Sequence, residues 1–449
     1  MSAKRDRALR GPEFRHRNSK EPRTLKINSP PKPPRLFARA TERHDYDAAS
    51  VFSQWSFTVA MFHRGYVLAA FLYFVVDAHL TTAELTLLGT IVSLTQSLTD
   101  VPAGAWADAI GRRWSLVIGH LLLAAGMMMT GFVTAFPLLI MTQMVWALGW
   151  AFIAGADVAW FTDEFDGDGS VDAALAASLR MRFLGGAAGM LASGILSRAI
   201  GLAAAIVICG AGIAMLSIPV AIRFRERKFA PARSARPSAL VILRRGFALA
   251  SRDREIMPIL AATFLSEGAT IVGWLFPKRL VSLGVSGDPV VSWTAIGIMS
   301  FIAGAASLRA VESFVDRPRA VRRIYELACG IGLAGIFLLA LASDVVVVGL
   351  GMVLVWGVAF NLTRSVSVVW VNRRTTSDVR ATVLSCLSQA ETLGEIACGS
   401  ALTGLAKAGD LPFTLLAAGA LLALAPLTLA GFTGHERLRS GRDGGGIRC

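Results

Sequence analysis

Three glutamates stand where a charged side chain is costly: Glu267, Glu391 and Glu395 each lie well inside an apolar run. Lipid cannot solvate a charge, so ionisable groups within a membrane segment are functional candidates by default. Glu267 is about eleven residues into its run, or ~17 Å along a helix and close to a bilayer midplane. Glu391 is equally deep, and Glu395 follows one turn later on the same face. Two carboxylates so spaced in a low dielectric do not ionise together easily, so at least one is expected to hold a proton near neutral pH. Taking up that proton on one side of a membrane and releasing it on the other is what proton coupling requires. The alternative is a set of neutral acids hydrogen-bonded in helix contacts. Asp157 and Arg364 sit at similar places in two further runs. They are expected to pair across the cytoplasmic side when the protein faces outward, as a switch contact, or else to reach the headgroups separately.

Such side chains need long spans to position them. The 449 residues are 54% hydrophobic and 17% charged, with a mean hydropathy of +0.56. A span takes roughly 20 mostly apolar residues. We place spans at 55–78, 84–103, 114–133, 137–160, 176–197, 201–222, 256–277, 290–310, 321–342, 345–371, 381–406 and 412–432. These runs are too long for barrel strands, so the predicted class is an all-α membrane protein. The first span must run back through His63-Arg64-Gly65, where a charge is tolerable near the membrane boundary or facing a wet cavity. The expected domains are a basic tail over 1–50, disordered in water, a six-helix bundle over 51–222, a basic linker over 223–255, a second bundle over 256–433 and a tail over 434–449. An internal repeat supports the division. Gly149-Trp150-Ala151-Phe152 followed by Trp160 is echoed by Gly357-Val358-Ala359-Phe360 followed by Trp370. Two related halves place a substrate site between them near the midplane.

The net charge is +14, but its distribution argues against nucleic acid. Lys and Arg concentrate in 4–43, in 223–254 and around Arg112, Arg319 and Arg373, while the alternate loops carry Arg198, Lys278, Arg279 and Lys407. This is the asymmetry of a multi-pass protein with both termini in the cytoplasm, rather than a groove for DNA. Cys209, Cys329, Cys386 and Cys398 fall inside apolar runs and Cys449 is the last residue, so neither a disulfide framework nor a zinc site is expected. The acidic run from Asp163 to Asp172 has the wrong glycine position and no closing glutamate for a calcium loop. No metal and no cofactor are expected. A phosphate loop of the G-x-x-x-x-G-K-[ST] type is missing, so ATP-driven transport is unsupported and no enzymatic constellation is present.

Between the second and third runs stands Gly104-Ala105-Trp106-Ala107-Asp108-Ala109-Ile110-Gly111-Arg112-Arg113, preceded by Asp100. Gly104 permits close helix packing, Gly111 a tight turn, and Asp108 with Arg112 a charge-assisted contact. This G-x-x-x-D-x-x-G-R-R loop resembles that of the major facilitator superfamily. The resemblance implies twelve transmembrane helices in two pseudo-symmetric six-helix bundles, alternating access, and a gating role for this loop on the cytoplasmic side, with Asp163 near Arg112. Ala154–Asp163 and the stretch from Trp370 through Arg380 to Ser385 resemble the drug:proton antiporter groups that include macrolide and tetracycline exporters. Gly185-x-x-x-Gly189-Met190-x-x-Ser193-Gly194 is similar to the antiporter motif of the fifth span, with Met190 in place of proline; simple packing explains it equally. In this superfamily the seventh span lines the cavity, which puts Glu267 first among the coupling candidates.

The expected function is therefore a proton-coupled exporter of small amphiphilic or hydrophobic compounds, a monomer in the inner or plasma membrane. Its partners would be a small-molecule substrate, protons and lipid. Trp150, Trp274, Trp356, Phe360 and Asn361, with Trp146, Trp160 and Phe276, are the pocket candidates; each aromatic could equally face lipid. The alternatives are a narrow-specificity importer or metabolite exporter, and a non-transporting receptor or scaffold on the same fold.

Overall fold

The computed structural model describes residues 35–165, 170–227, 256–284, 288–315, 320–375 and 377–430. Most of the expected linker and tails, and the loop residues Asp166 and Asp316, lie outside them. Met1–Arg43 is one unit, of which 35–43 are described, as helix. All that follows concerns the other, compact unit, His44–Cys449.

Helix follows helix: α1 (Arg35–Val76), α2 (Thr82–Ile110), α3 (Arg112–Thr130), α4 (Phe136–Glu164), α5 (Ser170–Ile200), α6 (Leu202–Arg223), α7 (Ile256–Ser282), α8 (Pro289–Val315), α9 (Ala320–Leu341), α10 (Val345–Arg374), α11 (Ser377–Ala408) and α12 (Leu411–Ala430). No strand occurs among the described residues. Among them, ten of these helices are long and apolar enough to cross a membrane. The other two, α2 and α11, are rich in Ser and Thr and carry acids, and they pack against each other. Helices buried against one another need not present an apolar face to lipid.

Local chemistry sets the ends and breaks. Thr81 begins α2 with a reciprocal cap: its hydroxyl accepts the Glu84 N–H at 3.2 Å, and Glu84 Oε2 accepts the Thr81 N–H at 2.8 Å. One residue, Gly111 at φ +128°, turns α2 into α3. α4 breaks at Ala154-Gly155, with Gly155 at φ +82°, and restarts one residue before Asp157. α7 tightens to 3₁₀ geometry over Ala269–Leu275, just after Glu267. α10 loosens to π geometry over Val353–Ala359, just before Phe360 and Asn361. Such departures inside long helices concentrate at functional sites.

Close crossings are repeated in the two halves. A Cβ at Gly185 or Gly189 of α5 would run into the backbone of α1 at Phe57 and Met61, and one at Gly394 of α11 into that of α7 at Phe264. Gly149 seats α4 on α3, as Gly351 seats α10 on α9. These small residues allow backbones to approach where no hydrophobic force separates helix from lipid.

Contacts between the halves run from mid-depth to the end that holds the α1–α2 turn. Lys278 Nζ donates to the Leu80 carbonyl at 2.5 Å, Trp293 Nε1 to the Leu68 carbonyl at 2.9 Å, and Thr403 to the Thr86 hydroxyl at 3.1 Å. Arg198 pairs with Asp288 at 3.3 Å. That end is closed.

Candidate functional site

Glu267, Glu391 and Glu395 converge around Arg364 in the second half. Arg364 donates to Glu391 Oε2 at 2.9 Å, with Glu391 10% and Arg364 61% exposed, so the guanidinium reaches out of the wall while the acid lies within it. Ser93 of α2 donates to Glu395 Oε2 at 2.7 Å, tying the cluster to the first half. Glu267 is buried at the last α-helical turn before the 3₁₀ stretch of α7. Three acids against one cation leave an excess of carboxylate, which a proton or a cationic group can offset.

In this conformation Asp157 and Arg364 are not paired with each other, and each partners a residue of its own half. Asp157 is buried and ion-paired to Arg182 of α5, and its Oδ1 also accepts the Val158 N–H at 2.8 Å. The break at Gly155 turns Asp157 toward α5, and Arg182 lies over the Trp55 ring at 5.1 Å.

The loop residues divide. Arg112 pairs with Asp163 and lies 3.9 Å from Asp108. Glu226, just past α6, accepts the Arg113 N–H at 2.9 Å and fills the space beside Gly111, while the Arg113 guanidinium lies 5.0 Å over Trp114. Glu164 accepts the Arg227 N–H at 2.7 Å, so the stretch after α6 straps the loop to the end of α4. Gly104 differs from expectation: a Cβ there would meet nothing within 4 Å, so no helix packs on it in this conformation. Asp100 is exposed and has no hydrogen bond or ion pair among the described residues.

The aromatic candidates separate similarly. Trp274 and Trp356 meet Phe71 of α1 at 4.6 and 6.1 Å between ring centres, where the halves touch. Trp150 stacks on His63 at 4.5 Å between ring centres, and Trp146 lies parallel to it at 5.6 Å. Trp160, Phe276 and Phe360 are buried packing residues instead; Trp160 lies 4.0 Å from Phe224 in the core of the first half. Asn361 spends its amide on the Trp356 and Gly357 carbonyls, at 2.8 and 3.0 Å, which the π segment leaves free.

Arg182, Ser93 and Glu226 complete these arrangements and are not among the site residues expected from the sequence. Arg182 carried a usable signal, a charge inside an apolar run. Ser93 sits in a Ser/Thr-rich helix and Glu226 in a basic segment, and nothing in the sequence marks either.

The family model of the Major Facilitator Superfamily matches residues 55–399. The chain belongs to this superfamily. This facilitator is similar in fold to the crystal structure of a nucleoside transporter, NupG: TM-score 0.72, 16% identity, 86% of this chain and 99% of that one covered. It is also similar to a bacterial homologue of the human lysosomal transporter Spinster, in an inward-facing and unoccupied conformation (0.65, 15%, 86% and 96%). A third is a POT family transporter in complex with 5-aminolevulinic acid (0.66, 13%, 86% and 96%). No curated protein matches the sequence. The facilitator is thus a multi-pass, non-enzymatic membrane protein of transporter fold, suited to a small-molecule substrate.

Proposed function

We propose that this facilitator is a secondary active transporter that exports small amphiphilic compounds in exchange for protons, by alternating access between its two halves. The observation that carries the reading is the acidic cluster, Glu267, Glu391 and Glu395 around a single arginine, at the depth where the halves meet through Ser93. Acids in excess of cations within a membrane segment are suited to loading and releasing protons. The aromatic rings of Phe71, Trp274 and Trp356 beside the interface support an apolar substrate body. The arginine-rich α2–α3 loop supports a cytoplasmic position for that end, with both termini on the same side in the inner or plasma membrane. The closed α1–α2 end is then the outer one, and the conformation faces inward.

The test is accumulation of fluorescent amphiphiles of both charge signs in cells expressing the wild type or Glu267→Gln, with and without a protonophore. The wild type is expected to lower accumulation of at least one dye, and both the substitution and the protonophore to abolish that effect. Efflux that survives both treatments, or folded wild type that moves no dye, would sink the reading in favour of a narrow-substrate carrier or a receptor.

A further inference from the structure

Five cations bear on how charge is compensated along the helices and at their ends: Arg182 and Arg364 within them, Lys278 and Arg279 at the end of α7, and Arg64; the first four have partners. Arg182 has Asp157, and Arg364 has Glu391. Lys278 donates to the Leu80 carbonyl, and Arg279 to the carbonyls of Leu339, Ala340 and Ala342 at the end of α9. Arg64 is the fifth. It stands twelve residues before the end of α1 at Val76, or ~18 Å in, and is half-buried. Among the described residues it meets no carboxylate and no carbonyl; its guanidinium lies 5.9 Å over the ring of Phe301, which belongs to the opposite half. Position 186 of α5 is glycine, and a Cβ there would come within 3.3 Å of the Arg64 side chain and 3.1 Å of the Phe301 ring. The absence of a side chain lets Arg64 and the Phe301 ring come close to α5 where α1, α5 and α8 meet. Phe183 flanks the same ring at 5.1 Å. Beside Arg64, His63 stacks with two tryptophans, and its Nε2 is buried without a hydrogen-bond partner among the described residues.

We infer that Arg64 is the recognition site for the anionic group of the substrate, a monovalent organic anion such as a carboxylate or sulfonate on an aromatic or apolar body. The guanidinium fork can donate to two oxygens of such a group at once, and the rings of Phe183 and Phe301 take the apolar part. One uncompensated cation, with Arg182 already neutralised by Asp157, suits a single negative charge rather than a dianion. The opposite wall, with its excess of carboxylates, repels that group and keeps it on the first half. The inference deepens the transport reading, and rests on it for the site's being a transport site.

The test uses the purified full chain and three probes of one shape: naphthalene-1-sulfonate, 1-naphthylmethylammonium and 1-naphthalenemethanol. Binding is measured by calorimetry, and transport with proton movement in proteoliposomes. The wild type is expected to prefer the sulfonate. Arg64→Gln should weaken that binding on the order of tenfold to a hundredfold, the usual loss for a charged hydrogen-bond partner. Arg64→Lys should recover part of it, and Arg322→Gln, remote from the site, should cause none of the loss. Preference for the ammonium probe, equal sulfonate binding by folded Arg64→Gln, or no binding of any probe by folded wild type overturns the inference. Arg64-dependent binding in a chain that moves neither probe nor protons removes the exporter reading and keeps this one. Proton-coupled transport indifferent to Arg64 does the reverse.

Discussion

The two halves hold the same kind of ion pair with the charges exchanged. In the first, the acid stands on the fourth helix and the arginine on the fifth, as Asp157 and Arg182. In the second, the arginine stands on the tenth and the acid on the eleventh, as Arg364 and Glu391. The repeat fixes where a pair sits; each half decides its sign. The surroundings differ as well. Asp157 and Arg182 balance one for one, with Trp55 against the guanidinium, which is the arrangement of a structural tie. Arg364 faces two further carboxylates, Glu267 and Glu395, and cannot satisfy all three. The first pair is electrostatically balanced, and the second is left with an excess of carboxylate.

The sharpest way to break this comparison is to remove each arginine in turn. Arg364→Gln should cut proton-driven transport in proteoliposomes about a hundredfold or more, because it strands three acids. Arg182→Gln leaves one buried acid unpaired and should chiefly lower thermal stability, by about 3–5 kcal/mol. Equal transport losses with equal stability losses would mean that the halves do not divide the work. The glycine seats are predicted to be alike: Gly189→Leu and Gly394→Leu should each destabilise the protein by about 3 kcal/mol, since both push a side chain into a neighbouring backbone. A thermal melt that spares one of them would show that the packing repeat is only superficial. Exchanging the first pair, Asp157→Arg with Arg182→Asp, should restore stability to within about 1 kcal/mol of wild type. Failure to do so, read by the same melt, would show that the Val158 N–H and the Trp55 ring fix its polarity.

These differences mark what sequence can and cannot carry. Depth is legible: at 1.5 Å per residue an acid eleven residues into a run lies near mid-membrane, and Glu267, Glu391 and Glu395 are found that way. Direction about the helix axis is not. Each residue turns a helix by about 100°, and the break at Gly155 discards that count before Asp157. Equal depth suggests Arg364 as its partner, while direction gives it Arg182. The spans themselves agree to within a few residues at most ends, because length and hydropathy decide them. The largest departure is α1, expected to start at 55 and helical from Arg35; next is α2, expected to stop at 103 and continuing to Ile110, so that Asp100 and Asp108 lie on the helix. The gap over Gly104 is also illegible, since whether a glycine is covered depends on which end of the molecule is closed.

The contacts at the closed end set a scale for motion. Lys278 to Leu80, Trp293 to Leu68, Thr403 to Thr86 and Arg198 to Asp288 must all part before that end can open. At about 1 kcal/mol net apiece they sum to roughly 4 kcal/mol, enough to hold the open form near one molecule in a thousand if nothing opposed them. A carrier that alternates needs comparable contacts to form at the other end, so its two conformations are weights on a balance set close to level. Lys278 belongs to this end contact, and Lys278→Met should move the populations by about fivefold, visible as altered labelling of cysteines placed at the two mouths. In such a molecule the turnover rate is governed as much by these remote contacts as by the residues that hold the cargo.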